Sequence, residues 1–192
     1  MKAVVPFPIR NVDVRMQFFQ LASQYYISGR FAVISGFSPV GANLLHHAVE
    51  MYLKGTLSHW KKIDELRKMN HNLKAIWTSF KNVSGADTNL DRFEDVVLGL
   101  DKFERLRYPD AALDEGMRCQ FALRCGDLVP NPQQDSKYPP YYTLVLEEID
   151  DLLKTILEMA GATPTGAFFG IFQEHAKTFL ALHNNHVLSE VA

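Results

Sequence analysis

The stretch NLLHHAVEMYLKGTLSHW, residues 43–60, decides the fold. Ala42, Leu45, Val49, Tyr52 and Thr56 recur at alternating spacings of three and four, which places them on one helical face. Glu50 and Lys54 stand four apart in the favourable Glu-before-Lys order and are assigned to the wetter face. The pattern predicts a buried helix around which the other elements pack.

Working outward, residues 12–37 also read as helix. Phe19, Tyr26 and Val33 repeat every seven residues, and so do Ala22, Gly29 and Gly36. Glycine inside a helix costs roughly 1 kcal/mol relative to alanine, so its recurrence in register points to close packing. The central helix carries a matching row, Gly41, Ala48 and Gly55. The two rows are expected to face each other in an antiparallel helical pair, with the turn near residues 36–39 and Pro39 at a helix start. Residues 1–11, with Pro6 and Pro8, read as an extended lead-in.

Downstream, KKIDELRKMN (residues 61–70) reads as a short charged helix. Asn70 is the expected N-cap of a helix over 71–83, with Leu73, Ile76, Trp77 and Phe80 as its apolar face. After the loop SGADTN, Thr88 or Asn89 is expected to cap a helix reaching Leu106, striped by Leu90, Phe93, Val97, Leu100 and Phe103. Arg107-Tyr108-Pro109-Asp110 should end it, because proline disfavours helical geometry in the residue before it.

The period then changes. Met117, Cys119, Phe121, Leu123 and Cys125 alternate with polar or small residues, the pattern of a half-buried strand. Residues 141–145 are its expected partner in a small hairpin, across the loop VPNPQQDSKYPP. A helix over 144–160 follows, with Val145, Ile149, Leu152, Ile156 and Met159 as its seam. Thr163 and Pro164 open a last helix to about residue 184, with the seam Phe168, Phe172, His175, Phe179 and Leu182. The expectation is a mainly α, single-domain protein over 1–192: an up-and-down helical bundle at 12–110, then a small β-hairpin and two C-terminal helices on the same core.

Hydrophobic content of 47% and charged content of 22% fit such a core. The formal net charge of −2 gives the whole chain no strong pull on nucleic acid. The charge is uneven: residues 1–110 hold 15 Lys+Arg against 11 Asp+Glu, and 111–192 hold 5 against 11. A basic front is compatible with an anionic partner, or with ordinary surface variation. Two cysteines at positions 119 and 125 make neither a disulfide framework nor a zinc pair, and fit a reduced, cytoplasmic setting. No apolar run suits a signal peptide or a membrane span.

Ala48-Val49-Glu50 followed by Tyr52-Leu53-Lys54 resembles the second-helix signature of HEPN-type domains. His71-Asn72-Leu73 is similar to the start of their third helix, and Arg107-Tyr108-Pro109-Asp110 to the turn after their fourth. The resemblance covers residues 12–110. It implies a helical bundle, frequently homodimeric, among whose members are metal-independent ribonucleases, toxin components, partners of nucleotidyltransferase-like proteins and non-catalytic binding modules. Catalytic members carry an arginine and a histidine separated by four to six residues. Histidine moves the proton and arginine holds the phosphate while a 2′-hydroxyl attacks. No arginine here has that spacing. The nearest case is Arg67 and His71, with three residues between them.

The leading expectation is therefore a non-catalytic module that binds RNA, a nucleotide or a partner protein. The alternatives are a metal-independent endoribonuclease with an atypical Arg67–His71 arrangement, or a protein-binding scaffold. Lys61, Lys62, Arg67, Lys68, His71 and Lys74, beside Trp60 and Trp77, form the most basic region, readable as a single-strand RNA surface or as a solvated helix face. Arg105 and Arg107 with Asp110 form a second cluster, readable as a phosphate contact or a braced turn. His46, His47, Glu50 and Lys54 are expected to serve packing, surface or a polar site between protomers. Consecutive histidines point about 100° apart on a helix and are not natural co-ligands. His183 and His186 share a face and His175 falls in an apolar seam, so no metal and no cofactor is expected. Arg118 and Arg124 line a strand edge that a second copy would pair with.

Overall fold

A computed structural model describes residues 11–85, 89–114, 116–124 and 141–162, together with Ala181 and Asn184. The lead-in, the Thr88 cap, Cys125, the proline-rich loop, the last helix and His175, His183 and His186 lie outside the described residues. The element order is α1 (Asn11–Ile34), α2 (Ser38–Leu57), α3 (Ile63–Lys68), α4 (Leu73–Ser84), a 3-10 turn (Asp91–Phe93), α5 (Glu94–Leu106), α6 (Pro109–Asp114), β1 (Arg118–Ala122), β2 (Tyr141–Val145) and α7 (Leu146–Met159). The protein is mainly α, and none of these helices is long and apolar enough to cross a membrane.

Helix α2 is the centre: α1, α4, α5, α7 and β1 all pack against it. The predicted face of Ala42, Leu45, Val49, Tyr52 and Thr56 is buried. Every residue over 52–58 is buried as well, roughly two helical turns, so this end of α2 is covered on all sides. Glu50 and Lys54 share that fate. They are 0% and 6% exposed, and their assignment to a wet face is corrected. The missing wall is built by the α3–α4 connector, which local periodicity does not report.

Helices α1 and α2 run antiparallel in close contact. A Cβ on Gly29 would lie 2.9 Å from Leu45 Cγ, one on Gly41 would lie 2.5 Å from Val33 Cγ2, and one on Gly55 would lie 2.6 Å from the Phe19 ring. These pairs march in opposite directions along the chain, and Ala22 and Ala48 are fully buried with them. Gly36 is the exception to the row. Its φ of +82° places it in the turn, where the Gly36 N–H donates to Val33 O (3.0 Å) and the Phe37 N–H to Ala32 O (2.7 Å), closing α1 with a Schellman motif.

Two further expectations are corrected. The N-cap of α4 is Asn72, whose side-chain oxygen accepts from the Ala75 N–H at 2.8 Å. Asn70 instead adopts φ +48°, a left-handed conformation that asparagine tolerates. The strands form no hairpin: β1 and β2 pair in parallel, from Arg118 opposite Tyr141 to Ala122 opposite Val145. Parallel pairing needs a crossover of about a dozen residues or more, and residues 123–140 supply that length. The alternation itself is as read, with Cys119 and Phe121 facing the core.

The second half is tied to the first through buried polar groups. Tyr26 Oη donates to Asp150 Oδ1 at 2.5 Å, Arg30 pairs with the other oxygen of Asp150, and Asn184 Nδ2 donates to Tyr26 Oη at 3.0 Å. These contacts fix α7 and the segment at Asn184 onto α1.

Candidate functional site

The α3–α4 connector brings His71 back onto the middle of α2. His71 Nδ1 lies 3.0 Å from Glu50 Oε2, and His47 Nδ1 lies 3.3 Å from the same oxygen. The other carboxylate oxygen, Oε1, accepts from Lys54 Nζ at 2.7 Å. That ammonium also donates to the Asn70 carbonyl at 2.6 Å, which explains the left-handed turn at Asn70: it aims a carbonyl at a buried cation. His46 completes the cluster, with Nε2 3.9 Å from Glu50 Oε2.

The electrostatics follow from this packing. Burial by itself raises the Glu50 carboxyl, but hydrogen bonds from His47, His71 and Lys54, with the Lys54 charge, reverse the effect and hold it at about 2. The carboxylate is therefore ionised at any ordinary pH. Burial lowers the His46 imidazole below its usual 6.5, against the pull of the Leu100 carbonyl and of Glu50. His46 Nδ1 lies 3.0 Å from Leu100 O, an acceptor, so Nδ1 carries the hydrogen and Nε2 the lone pair. Access is graded: His46 and Glu50 side chains are 0% exposed, His47 18% and His71 56%. The ligand atoms of His46, His47 and Glu50 all lie within 4.8 Å of one another.

The sequence-derived residues divide. His71 joins the Glu50 cluster, whereas Arg67 stays on exposed α3, paired with Asp64 at 3.4 Å. Lys61 and Lys62 precede α3, Lys68 ends it and Lys74 lies in the first turn of α4; Lys62, Lys68 and Lys74 are exposed and Lys61 is half-buried. Trp60 beside them is exposed, but Trp77 is fully buried, with Nε1 donating to Glu94 Oε2 at 2.9 Å, and is closed to a stacking base. Arg105 is exposed on α5. Arg107 finds its carboxylate in Glu104 at 2.7 Å, with its guanidinium over the Tyr108 ring. Arg124 pairs with Glu148 and Asp151 of α7. Cys119 is no nucleophile, since burial pushes its thiol up to about 11.

Sequence reasoning named the α2 histidines and Glu50 but did not join them to His71. The usable signal was that His46 and His47 sit four and three residues before Glu50, so both neighbour it on the helix surface. Their directions diverge at the backbone, yet each ring reaches the same carboxylate one turn away.

No protein-family model, no curated protein and no solved structure matches this chain.

Proposed function

We propose that the protein is a non-catalytic, HEPN-like binding module that holds single-stranded RNA on its α3–α4 surface, of the kind found in toxin–antitoxin or defence systems. One observation carries the reading. The two acids that interrupt the basic run are already engaged, Asp64 with the Arg67 guanidinium and Glu65 with the Lys62 backbone N–H at 2.9 Å. Among the described residues Lys61, Lys62, Lys68 and Lys74 form no salt bridge, although the Lys74 charge acts on Glu94, and Trp60, edge-on to His59, is 53% exposed beside them. Exposed lysines in excess of the acids among them, beside a half-exposed aromatic ring, suit a phosphate backbone with an unpaired base. The homodimer and the nucleotidyltransferase-like partner implied by the resemblance belong to the same proposal.

The test is anisotropy of a labelled single-stranded RNA across a salt series, with Lys61, Lys62, Lys68 and Lys74 replaced by glutamine in a second protein. Affinity should fall as salt rises, and the quadruple substitution should abolish most of it. Absent or salt-independent binding overturns the reading.

A second reading, metal-independent ribonuclease, is favoured by the contact between His71 and Glu50. A buried carboxylate that orients a half-exposed imidazole is the arrangement of a general base. Cleavage of RNA in EDTA that disappears in His71→Ala would favour it over simple binding.

A further inference from the structure

One carboxylate oxygen at the heart of α2 faces three imidazole nitrogens. Glu50 Oε2 lies 3.0 Å from His71 Nδ1, 3.3 Å from His47 Nδ1 and 3.9 Å from His46 Nε2. Two of these contacts are ordinary hydrogen bonds. The third is not. His46 spends its hydrogen on the Leu100 carbonyl, so a lone pair at Nε2 is turned toward an anionic oxygen. Both atoms accept and neither donates. His46 Nε2 is fully buried and has no hydrogen-bond partner among the described residues. A buried acceptor set against a buried acceptor is unfavourable by itself, and a cation between them satisfies both.

We propose that His46, His47, Glu50 and His71 form a binding site for one divalent transition-metal ion of the zinc class. Three donors, His46 Nε2, a ring nitrogen of His47 and Glu50 Oε2, already lie within 4.8 Å of one another. His71 Nδ1, 3.0 Å from Oε2 but outside that triad, is the fourth once its exposed ring closes on the ion. Bond lengths of about 2.0–2.1 Å to nitrogen and oxygen separate neighbouring ligands of a tetrahedral ion by roughly 3.3–3.4 Å. The observed separations around Oε2 bracket that value. Three imidazoles and one carboxylate select zinc, cobalt, nickel or copper over magnesium or calcium, which prefer all-oxygen sites. For His47 and His71 the ring hydrogen moves from Nδ1 to Nε2, with no net proton lost from a neutral ring.

The surroundings fit the assignment. The Leu100 carbonyl on His46 Nδ1 is the kind of supporting hydrogen bond that orients a metal-bound histidine. Lys54 holds Oε1 and leaves Oε2 as a single-oxygen ligand. His71, 56% exposed, is the side of the cluster that faces solvent. Lys54 also opposes the ion by charge, which sets the affinity below that of an unopposed site with the same donors. The inference goes beyond RNA binding and stands if that reading fails.

The test is titration of the full chain, stripped with EDTA, by zinc(II) and by cobalt(II). One equivalent of zinc should bind, and cobalt should develop the visible absorption of a tetrahedral site. His47→Ala/His71→Ala removes two ligands, and His47→Gln/His71→Gln removes the imidazoles while keeping amide donors for Glu50, so that loss of metal is read separately from loss of fold. Affinity should fall by more than the roughly 10–100-fold that follows loss of a supporting hydrogen bond. Lys54→Met should tighten binding, and His183→Ala/His186→Ala should leave it unchanged. No uptake, or uptake that the His47→Ala/His71→Ala protein retains in full, overturns the site.

Discussion

Glu50 Oε2 and His71 Nδ1 meet at 3.0 Å although they stand twenty-one positions apart in the chain. One residue before His71, the Asn70 carbonyl takes a second bond from the same centre, through Lys54. The short α3–α4 connector is therefore pinned twice to the middle of α2, once by a carboxylate and once by an ammonium. That pinning fixes how α3, which ends at Lys68, and α4, which carries Lys74, sit against the central helix.

The buried pair makes the two partners unequal under substitution. Glu50→Gln leaves the Lys54 ammonium, 7% exposed, without its counter-charge, and should cost about 3–5 kcal/mol. Lys54→Met leaves a carboxylate still held by His47 and His71 and should cost less. In Glu50→Gln/Lys54→Met both charges are gone, so the loss should be smaller than the sum of the single effects. Urea unfolding of the three proteins measures this, and strict additivity would show that the pair contributes no coupling.

His46 sets a pH dependence of definite sign. The unfolded chain protonates this imidazole near its usual 6.5, while burial lowers the folded value. Between those values the unfolded state binds more protons, so stability falls as pH falls, with a slope approaching about 1.4 kcal/mol per pH unit. Glu50 acts in the same direction in a separate window, as pH drops from about 4.5 toward about 2. His46→Asn retains an N–H for Leu100 and removes the titration. Thermal unfolding from pH 7.5 to 5.5 should decline more steeply in the wild type than in this variant; parallel curves would remove His46 as the cause.

What the sequence made legible was whatever repeats locally. The two small-residue rows were readable because helices in close contact require small side chains at regular intervals, as Gly29, Gly41 and Gly55 now do. The period-two alternation around Cys119 and Phe121 was readable for the same reason. Strand direction was not, since alternation is identical in parallel and antiparallel pairs; the length of residues 123–140 was the clue. The burial of Glu50 and Lys54 was hidden because the wall over them comes from a distant connector. Asn70 and Asn72 are both good caps by residue type, and only the buried ammonium of Lys54 decides which one turns left-handed.

Two glycines separate packing that yields from packing that does not. A Cβ at Gly41 would meet Val33 Cγ2 at 2.5 Å and also the Val33 backbone nitrogen at 3.1 Å, so α1 and α2 must part. Gly41→Ala should cost about 1–3 kcal/mol despite the better helix former. At Gly99 the nearest atom is Leu144 Cδ2 at 2.5 Å, the tip of a flexible side chain, and the next lies at 3.6 Å. Gly99→Ala should stay within about 1 kcal/mol of the wild type, the propensity gain offsetting the displaced tip. Equal losses in denaturant melts would contradict this account of the α1–α2 contact.

RNA held on the α3–α4 surface should show separable electrostatic and stacking contributions. Each phosphate released with a lysine lowers the salt slope of log affinity by about 0.7 for a single strand, so Lys68→Gln and Lys74→Gln should each flatten it by that amount. Lys154, paired with Glu158 on α7, lies outside the proposed surface, and Lys154→Gln should leave the slope alone. Trp60, 53% exposed, is expected to stack on a base, and Trp60→Ala should weaken binding by about 1–3 kcal/mol at every salt concentration without changing the slope. A Trp60→Ala protein that binds like the wild type would leave only the lysines, reducing the surface to a nonspecific patch. A slope that ignores Lys68 and Lys74 would move the RNA off this face altogether.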